Sequence, residues 1–355
     1  MKERSTGKLW LPLMAACLLS LSVSTKAADN DSSAPEIPGL TFQSEMQNEF
    51  AECFHIYYYN DDYTLIDVPD SGQFLLVPEG KSAPDGLDKD IVVLQKPLDN
   101  IYLAATSAMS LFSSLDALDD IKFSSLQASG WYVDAAKQAM ENGDIVFAGK
   151  YSEPDYELLV NSGCNLAIES TMILHTPKVQ EMIEQMGIPV FTDRSSYENH
   201  PLGRTEWIKV YAEMVDKRDE AKEFFDEQAK IISDLKDFKN TEKTVAFFYI
   251  NTDGSVVVRK PSDYVPKMIE IAGGRYVPTQ VDSEEETKRS SVPMTMEEFY
   301  TQAIRIIWYT MERLMIRLTA WMTFCRRANF LQTSRLSKKA MYGVPANIST
   351  RQPTL

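Results

Sequence analysis

From residue 65 to residue 303 the chain alternates short apolar runs with amphipathic stretches. Phe74-Leu75-Leu76-Val77 and Ile91-Val92-Val93-Leu94 read as strands, and residues 101–118 repeat apolar positions at helical spacing. Residues 144–148, 166–168 and 188–191 read as further strands, separated by helices over 156–160 and 178–186. Strand and helix in alternation predict a parallel α/β sheet. Two helical segments follow, 202–215 and 219–238. The second places Ala221, Phe224, Phe225, Gln228, Ile231, Ile232, Leu235 and Phe238 on one face and charge on the other. Alternation then resumes with strands over 244–250 and 256–258, a helix over 265–272, and Gly273-Gly274 suited to a helix end that needs positive φ.

The pattern predicts an α/β protein of two lobes with central, mainly parallel sheets, joined by one long helix. The boundaries read as a signal peptide (1–27), a flexible tether (28–39), an N-terminal lobe (40–200), a helical segment containing the linking helix (201–241), a partial C-terminal lobe (242–303) and a tail (304–355). The second lobe is incomplete on this reading.

Composition narrows the class. Of 355 residues, 44% are apolar and 25% charged, which excludes wholesale disorder, collagen and a polytopic membrane protein. The net charge of −15 argues against a nucleic-acid partner, because phosphate binding needs clustered Lys and Arg. Lys2, Arg4 and Lys8 precede an apolar stretch over 9–23 that is short for a membrane span, and Thr25-Lys26-Ala27 offers a cleavage site after Ala27. The alternative is lipidation of Cys17 in Leu13-Met14-Ala15-Ala16-Cys17, although Leu18-Leu19 prolong the apolar run beyond it. Either way the protein is exported, to the periplasm or the cell surface. Cys53, Cys164 and Cys325 stand at no metal-ligand spacing.

Catalytic signatures are missing. Gly80-Lys81-Ser82 resembles the end of a phosphate-binding loop, but Leu75 occupies the position of the required glycine. There is no G-x-S-x-G elbow and no G-x-G-x-x-G. His55, His175 and His200 are far apart in sequence. No enzyme activity, resident cofactor or metal site is expected. Tyr57-Tyr58-Tyr59 suits an amphipathic helix or strand better than a stacking platform.

Several segments in order resemble the substrate-binding proteins of ABC importers for iron–siderophore, haem and cobalamin. These are residues 149–157 followed by Asn165-Leu166-Ala167-Ile168; Ile188-Pro189-Val190-Phe191 followed by Ser195-Ser196-Tyr197; the helix and cap 267–274; and Ser290-Ser291-Val292 with Met296-Glu297-Glu298-Phe299-Tyr300. The resemblance covers roughly residues 40–303. It implies that a long rigid helix holds the lobes, that ligand lies between them, and that the protein acts as a monomer with an ABC permease and its ATPase. It also implies that one glutamate per lobe, Glu157 and Glu297 by position, docks on permease arginines. Ser152 with Asp155 and Thr295 with Glu298 fit capping boxes, which leaves Glu157 and Glu297 without an obvious local role. A first-turn glutamate that eases the helix dipole is the plainer alternative.

Ligand contacts are expected on residues 193–204, which leave a strand end where open α/β sheets bind ligands. Arg194 and Arg204 suit carboxylates or catecholates of an anionic chelate and Tyr197 suits stacking. Arg259 and Arg289 are the candidates from the other lobe. The competing reading pairs the loop arginines with Glu198 and Glu206. Other functions weighed are a secreted α/β hydrolase or metalloenzyme, and a surface interaction module without a small ligand.

The tail differs from everything before it. Residues 304–355 hold nine basic residues and one acid, a charge of +8, which leaves −23 for residues 1–303. One reading is a basic amphipathic membrane tail. The sharper one is a one-nucleotide frameshift near Ile304. Methionine and tryptophan have single codons ending in G, so parts of the shifted frame are forced. Trp308-Tyr309 gives valine, Met311-Glu312 glycine, and Trp321-Met322-Thr323 two aspartates. The resulting acidic sequence resembles the strand-and-helix ending of the family.

Overall fold

The structure is a computed structural model that describes residues 34–235, 240, 243–280, 290–303 and the backbone of 307–310. The signal peptide with Cys17, Arg289, Cys325 and the rest of the tail lie outside the described residues.

The chain first builds a five-stranded sheet from β1 (Phe42–Glu45), β2 (His55–Tyr59), β3 (Thr64–Val68), β4 (Gly72–Val77) and β5 (Ile91–Gln95), paired in that order. All its pairings are antiparallel except β4 with β5. Tyr57-Tyr58-Tyr59 therefore lies in a strand. The body already begins inside the expected tether, because Ile37 is buried.

The second sheet is the parallel one that the sequence predicts. Its elements in chain order are β6 (Ile101–Leu103), α1 (Met109–Ser114), β7 (Ile121–Ser124), α2 (Asp134–Asn142), β8 (Val146–Phe147), a small hairpin of β9 (Gly149–Lys150) and β10 (Glu153–Pro154), α3 (Tyr156–Asn161), β11 (Leu166–Ser170), α4 (Pro177–Gln185) and β12 (Val190–Asp193). The strand order is β12-β11-β6-β7-β8, with every pairing parallel. Along β11, Leu166 and Ile168 face one apolar core and Ala167 the other. A strand covered on both faces has this run of buried residues. The helical spacing over 101–118 is overruled: buried Ile101, Tyr102 and Leu103 form the central strand β6, and only Met109–Ser114 is α-helical. Three apolar residues flanked by sheet neighbours gain more as a strand than their period suggests.

Three helices follow, α5 (Pro201–Glu206), α6 (Ile208–Met214) and α7 (Arg218–Asp234). The 17-residue α7, about 26 Å long at 1.5 Å per residue, leads from the first lobe to the second. Its start is anchored: Arg218 Nε donates to Glu213 Oε2 at 2.7 Å, and Tyr58 donates to Glu213 Oε1 at 2.8 Å. Ala221 and Phe225 are buried against the first lobe while Ile231 and Leu235 are exposed.

The second lobe comprises β13 (Lys243–Ile250), β14 (Val256–Arg259), α8 (Tyr264–Ile271), β15 (Gly274–Tyr276), β16 (Ser291–Met294), α9 (Met296–Gln302) and β17 (Ile307–Thr310). Its sheet is mixed rather than mainly parallel: β13 runs parallel to β15 and β17, and β14 is antiparallel to β13 and β16. The hairpin turn between Ile250 and Val256 is too short for a parallel crossover. Ile307–Thr310 extends this sheet past residue 303, where the sequence pattern places the start of the tail; the run is β-branched and aromatic, as strands favour. No described helix is long and apolar enough to cross a membrane.

A candidate ligand-binding seam between the lobes

In the parallel sheet the chain leaves β6 first to β7 and later to β11 on the other side, which makes the β6–β11 pair a topological switch point. The loop after β12 emerges at the same carboxyl end and is pinned by Asp193. That buried carboxylate accepts from Tyr211 Oη at 2.5 Å, Ser107 Oγ at 3.2 Å and Ser195 N at 2.7 Å.

The two other acids of this region are spoken for. Glu206, fully buried, accepts from the backbone N–H groups of Glu49, Phe50 and Ala51 at 2.8–2.9 Å and from Lys209 Nζ at 2.6 Å. Glu198 accepts from Glu52 N, Cys53 N and Trp207 Nε1 at 2.8–3.0 Å. Burial pushes the Glu198 carboxyl up, and those three donors pull it back. Both carboxylates thus clamp the segment 49–53 onto the first lobe. The competing reading, in which they neutralise Arg194 and Arg204, is overturned, because these backbone N–H groups need an acceptor on burial and take both carboxylates.

The arginines go elsewhere. Arg194 lies over the Tyr197 ring at 4.7 Å and pairs with exposed Asp70 at 3.6 Å, all within the first lobe. Arg204, on α5, crosses to the second lobe: its guanidinium sits 4.2 Å from the centroid of Tyr264, the first residue of α8. Arg259, from β14, approaches the same ring at 5.7 Å. It also donates to Ser290 Oγ at 2.9 Å and to Asp263 Oδ2 at 3.4 Å. Among the described residues the Arg204 guanidinium has no hydrogen bond or ion pair; its backbone N–H donates to His200 O at 3.3 Å. The structure therefore brings Arg204 and Arg259 together and leaves Arg194 and Tyr197 as a separate pair. Asp263 caps α8 by accepting from Val265 N at 2.9 Å; burial raises its carboxyl, while Val265 N–H, Arg259 and Arg204 lower it.

Sequence reasoning missed Tyr264, Asp263 and His200. Asp263 ahead of an apolar-periodic run is an N-cap signal that was available. The side chain of His200 caps α5 by accepting from Leu202 N. Nothing in the sequence marks Tyr264 as the ring on which both arginines converge.

The two docking candidates are exposed in the first turns of their helices, Glu157 on α3 and Glu297 on α9. Thr295 and Glu298 form the capping box that the sequence predicts. On α3 the cap is Asp155 itself, accepting from Leu158 N at 3.0 Å, so the pairing with Ser152 does not form. The helix starts later because the hairpin β9–β10 folds tightly over Gly149: a Cβ there would lie 2.4 Å from the carbonyl of Glu153. Among the described residues, no group of His, Cys, Asp and Glu side chains is placed to hold a metal ion, and Cys53 and Cys164 are free thiols.

The periplasmic binding protein family matches residues 115–334, more than half of the chain. The chain belongs to this family. It is a family of substrate-binding proteins, not of enzymes. Solved structures of similar fold include a periplasmic binding protein of Veillonella parvula (12% identity, TM-score 0.52, covering 68% of this chain and 81% of that one). Another is a possible iron-binding, periplasmic solute-binding protein of Staphylococcus epidermidis (15% identity, TM-score 0.51, covering 68% and 87%). A third is a periplasmic haem-binding protein of Vibrio cholerae (15% identity, TM-score 0.50, covering 67% and 86%). An uncharacterized lipoprotein of Methanocaldococcus jannaschii is 21% identical over 249 residues, or 62% of this chain, and the chain spans 59% of that relative's length.

Proposed function

We propose that this periplasmic binding protein is the extracytoplasmic ligand-capturing component of an ABC importer, taking an anionic iron chelate or tetrapyrrole between its lobes for delivery to a permease. One observation carries the reading: guanidinium groups from opposite lobes, Arg204 and Arg259, share the Tyr264 ring, and among the described residues no carboxylate pairs with Arg204. Two cations on one ring repel each other, and an anion between them stabilises the closed arrangement. Arg194 and Tyr197 form a second contact surface on the first lobe, and Arg289 is a candidate from the second. The family membership, the iron-binding and haem-binding proteins among the similar folds, and the lipoprotein relative support the class of ligand and an exported location. A lipid on Cys17 and a soluble periplasmic form are both compatible with it.

The test is a fluorescence titration with ferric catecholates, ferric citrate, haem and cobalamin. Binding of an anionic chelate below about 100 μM, or about −5.5 kcal/mol, is expected, with a loss of tenfold or more in Arg204→Ala. Failure of every compound overturns the reading. Delivery is tested separately. Charge reversal of Glu157 and Glu297 together should abolish uptake and leave affinity intact, and unchanged uptake removes their docking role.

A further inference from the structure

The contact between the lobes contains a titratable group that ligand capture does not use. His200 caps α5, the helix that carries Arg204, by accepting from Leu202 N at Nδ1 across 3.1 Å. That bond assigns the ring proton to Nε2. The half-buried imidazole stacks on Phe50 at 4.6 Å between centroids and 24° between planes. Phe50 belongs to the segment clamped by Glu206, so the ring rests on a fixed surface. From the other side, α8 of the second lobe packs on α5 and brings Lys267 close enough for its charge to act on the imidazole.

The acids nearby offer a protonated ring little. Glu206 and Glu198 are engaged with backbone N–H groups, Lys209 and Trp207. Glu52 accepts from Asn199 Nδ2 at 2.8 Å, and the Glu49 side chain is exposed. From α8 come Glu270, which pairs with Lys267 at 3.2 Å, and Asp263, which is engaged with Val265 N–H and Arg259. The charge that acts on the ring is Lys267, with Arg204 on α5 itself.

We propose that His200 is an acid-sensitive catch between the lobes: protonation at Nδ1 uncaps α5, sets a cation against Lys267, withdraws Arg204 from Tyr264 and lets the lobes part. A proton on Nδ1 puts two donors, its own N–H and that of Leu202, face to face, so the ring must turn off Phe50 and the helix loses its side-chain cap. Burial and Lys267 both hold the imidazole below its ordinary value, so the folded seam resists the proton. The seam is intact above the ordinary imidazole range. It weakens as the pH falls below that range and through the depressed native value. The inference goes beyond ligand capture and stands or falls without any ligand.

Hydrogen exchange of the unliganded, full-length chain tests it, with protection in Pro201–Glu206 and Tyr264–Ile271 measured at pH 7.5 and 5.0 and corrected for intrinsic exchange. Both segments should lose about tenfold or more in protection on acidification. His200→Asn, which keeps a capping side chain and cannot titrate, should hold its neutral-pH protection at pH 5.0, whereas His175→Asn should behave as wild type. Lys267→Gln, an exposed change, should move the midpoint to higher pH. Equal losses in wild type and His200→Asn overturn the proposal. So does unchanged protection in wild type, or, should His200→Asn not fold, an unmoved midpoint in Lys267→Gln.

Discussion

Replacing Glu169 by glutamine is expected to stabilise the first lobe, by an amount that depends on pH. Glu169 lies on β11 with no exposed surface, and neither carboxylate oxygen has a hydrogen-bond partner among the described residues. Burial alone pushes its pKa from 4.5 up to about 8. The native state therefore keeps the proton over a range where the unfolded chain releases it. The stability linked to this group is fully present below pH 4.5 and is lost as the pH rises to about 8. At neutral pH, some 2.5 units above the unfolded value, holding the proton costs about 3 kcal/mol at 1.36 kcal/mol per unit. Glutamine has nearly the same shape and stays neutral at every pH, with one more unpartnered N–H than the protonated carboxyl. Glu169→Gln should thus gain about 3 kcal/mol on wild type between pH 4.5 and pH 7, from a start set back by that N–H. Urea unfolding followed through buried Trp131 and Trp207, both in the first lobe, measures the difference across pH 4.5–8. Parallel stability curves for the two proteins would refute the reasoning, because they would mean that the carboxylate is ionised or hydrated where the structure keeps it dry.

Two further outcomes are expected. Glu206→Ala leaves three backbone N–H groups at residues 49–51 without their acceptor and should cost about 3 kcal/mol or more in urea unfolding, since an unsatisfied buried donor costs about 1–3 kcal/mol. The family match runs on to residue 334 and β17 pairs with β13, both past the point where the frameshift reading breaks the frame; sequencing the gene across codon 304 decides, one base gained or lost supporting that reading and an unbroken frame removing it.

The parallel sheet and the linking helix were legible because their signals are local. Each strand of residues 166–193 is an apolar run with its own helix behind it, and the 17 residues of α7 repeat apolar positions at i and i+4, of which Ala221 and Phe225 are buried. Of the sheet ahead of it only β4 and β5 were legible, as the apolar runs 74–77 and 91–94; the others were not, because a strand such as Thr64–Val68 is buried on nearly every position and shows no alternation to read. The same ambiguity misassigned residues 101–103: three apolar residues carry no period, and pairing with β7 and β11 decides their conformation.

For the seam, residue type narrowed the choice and topology made it. The sequence offers two loop arginines and two loop glutamates at similar spacings, and on charge alone they should pair. What separates them is the segment 49–53, some 150 residues away in sequence, which presents a row of backbone N–H groups with no strand partner. Those groups take both carboxylates out of circulation. Arg204 is then a cation on a seam that also holds Arg259 with the buried acid Asp263, and Lys267 with exposed Glu270, in a protein that is acidic as a whole. That Arg204 is left without an ion pair thus follows from a structural need elsewhere: the glutamates that could have neutralised it are committed to holding the first lobe together.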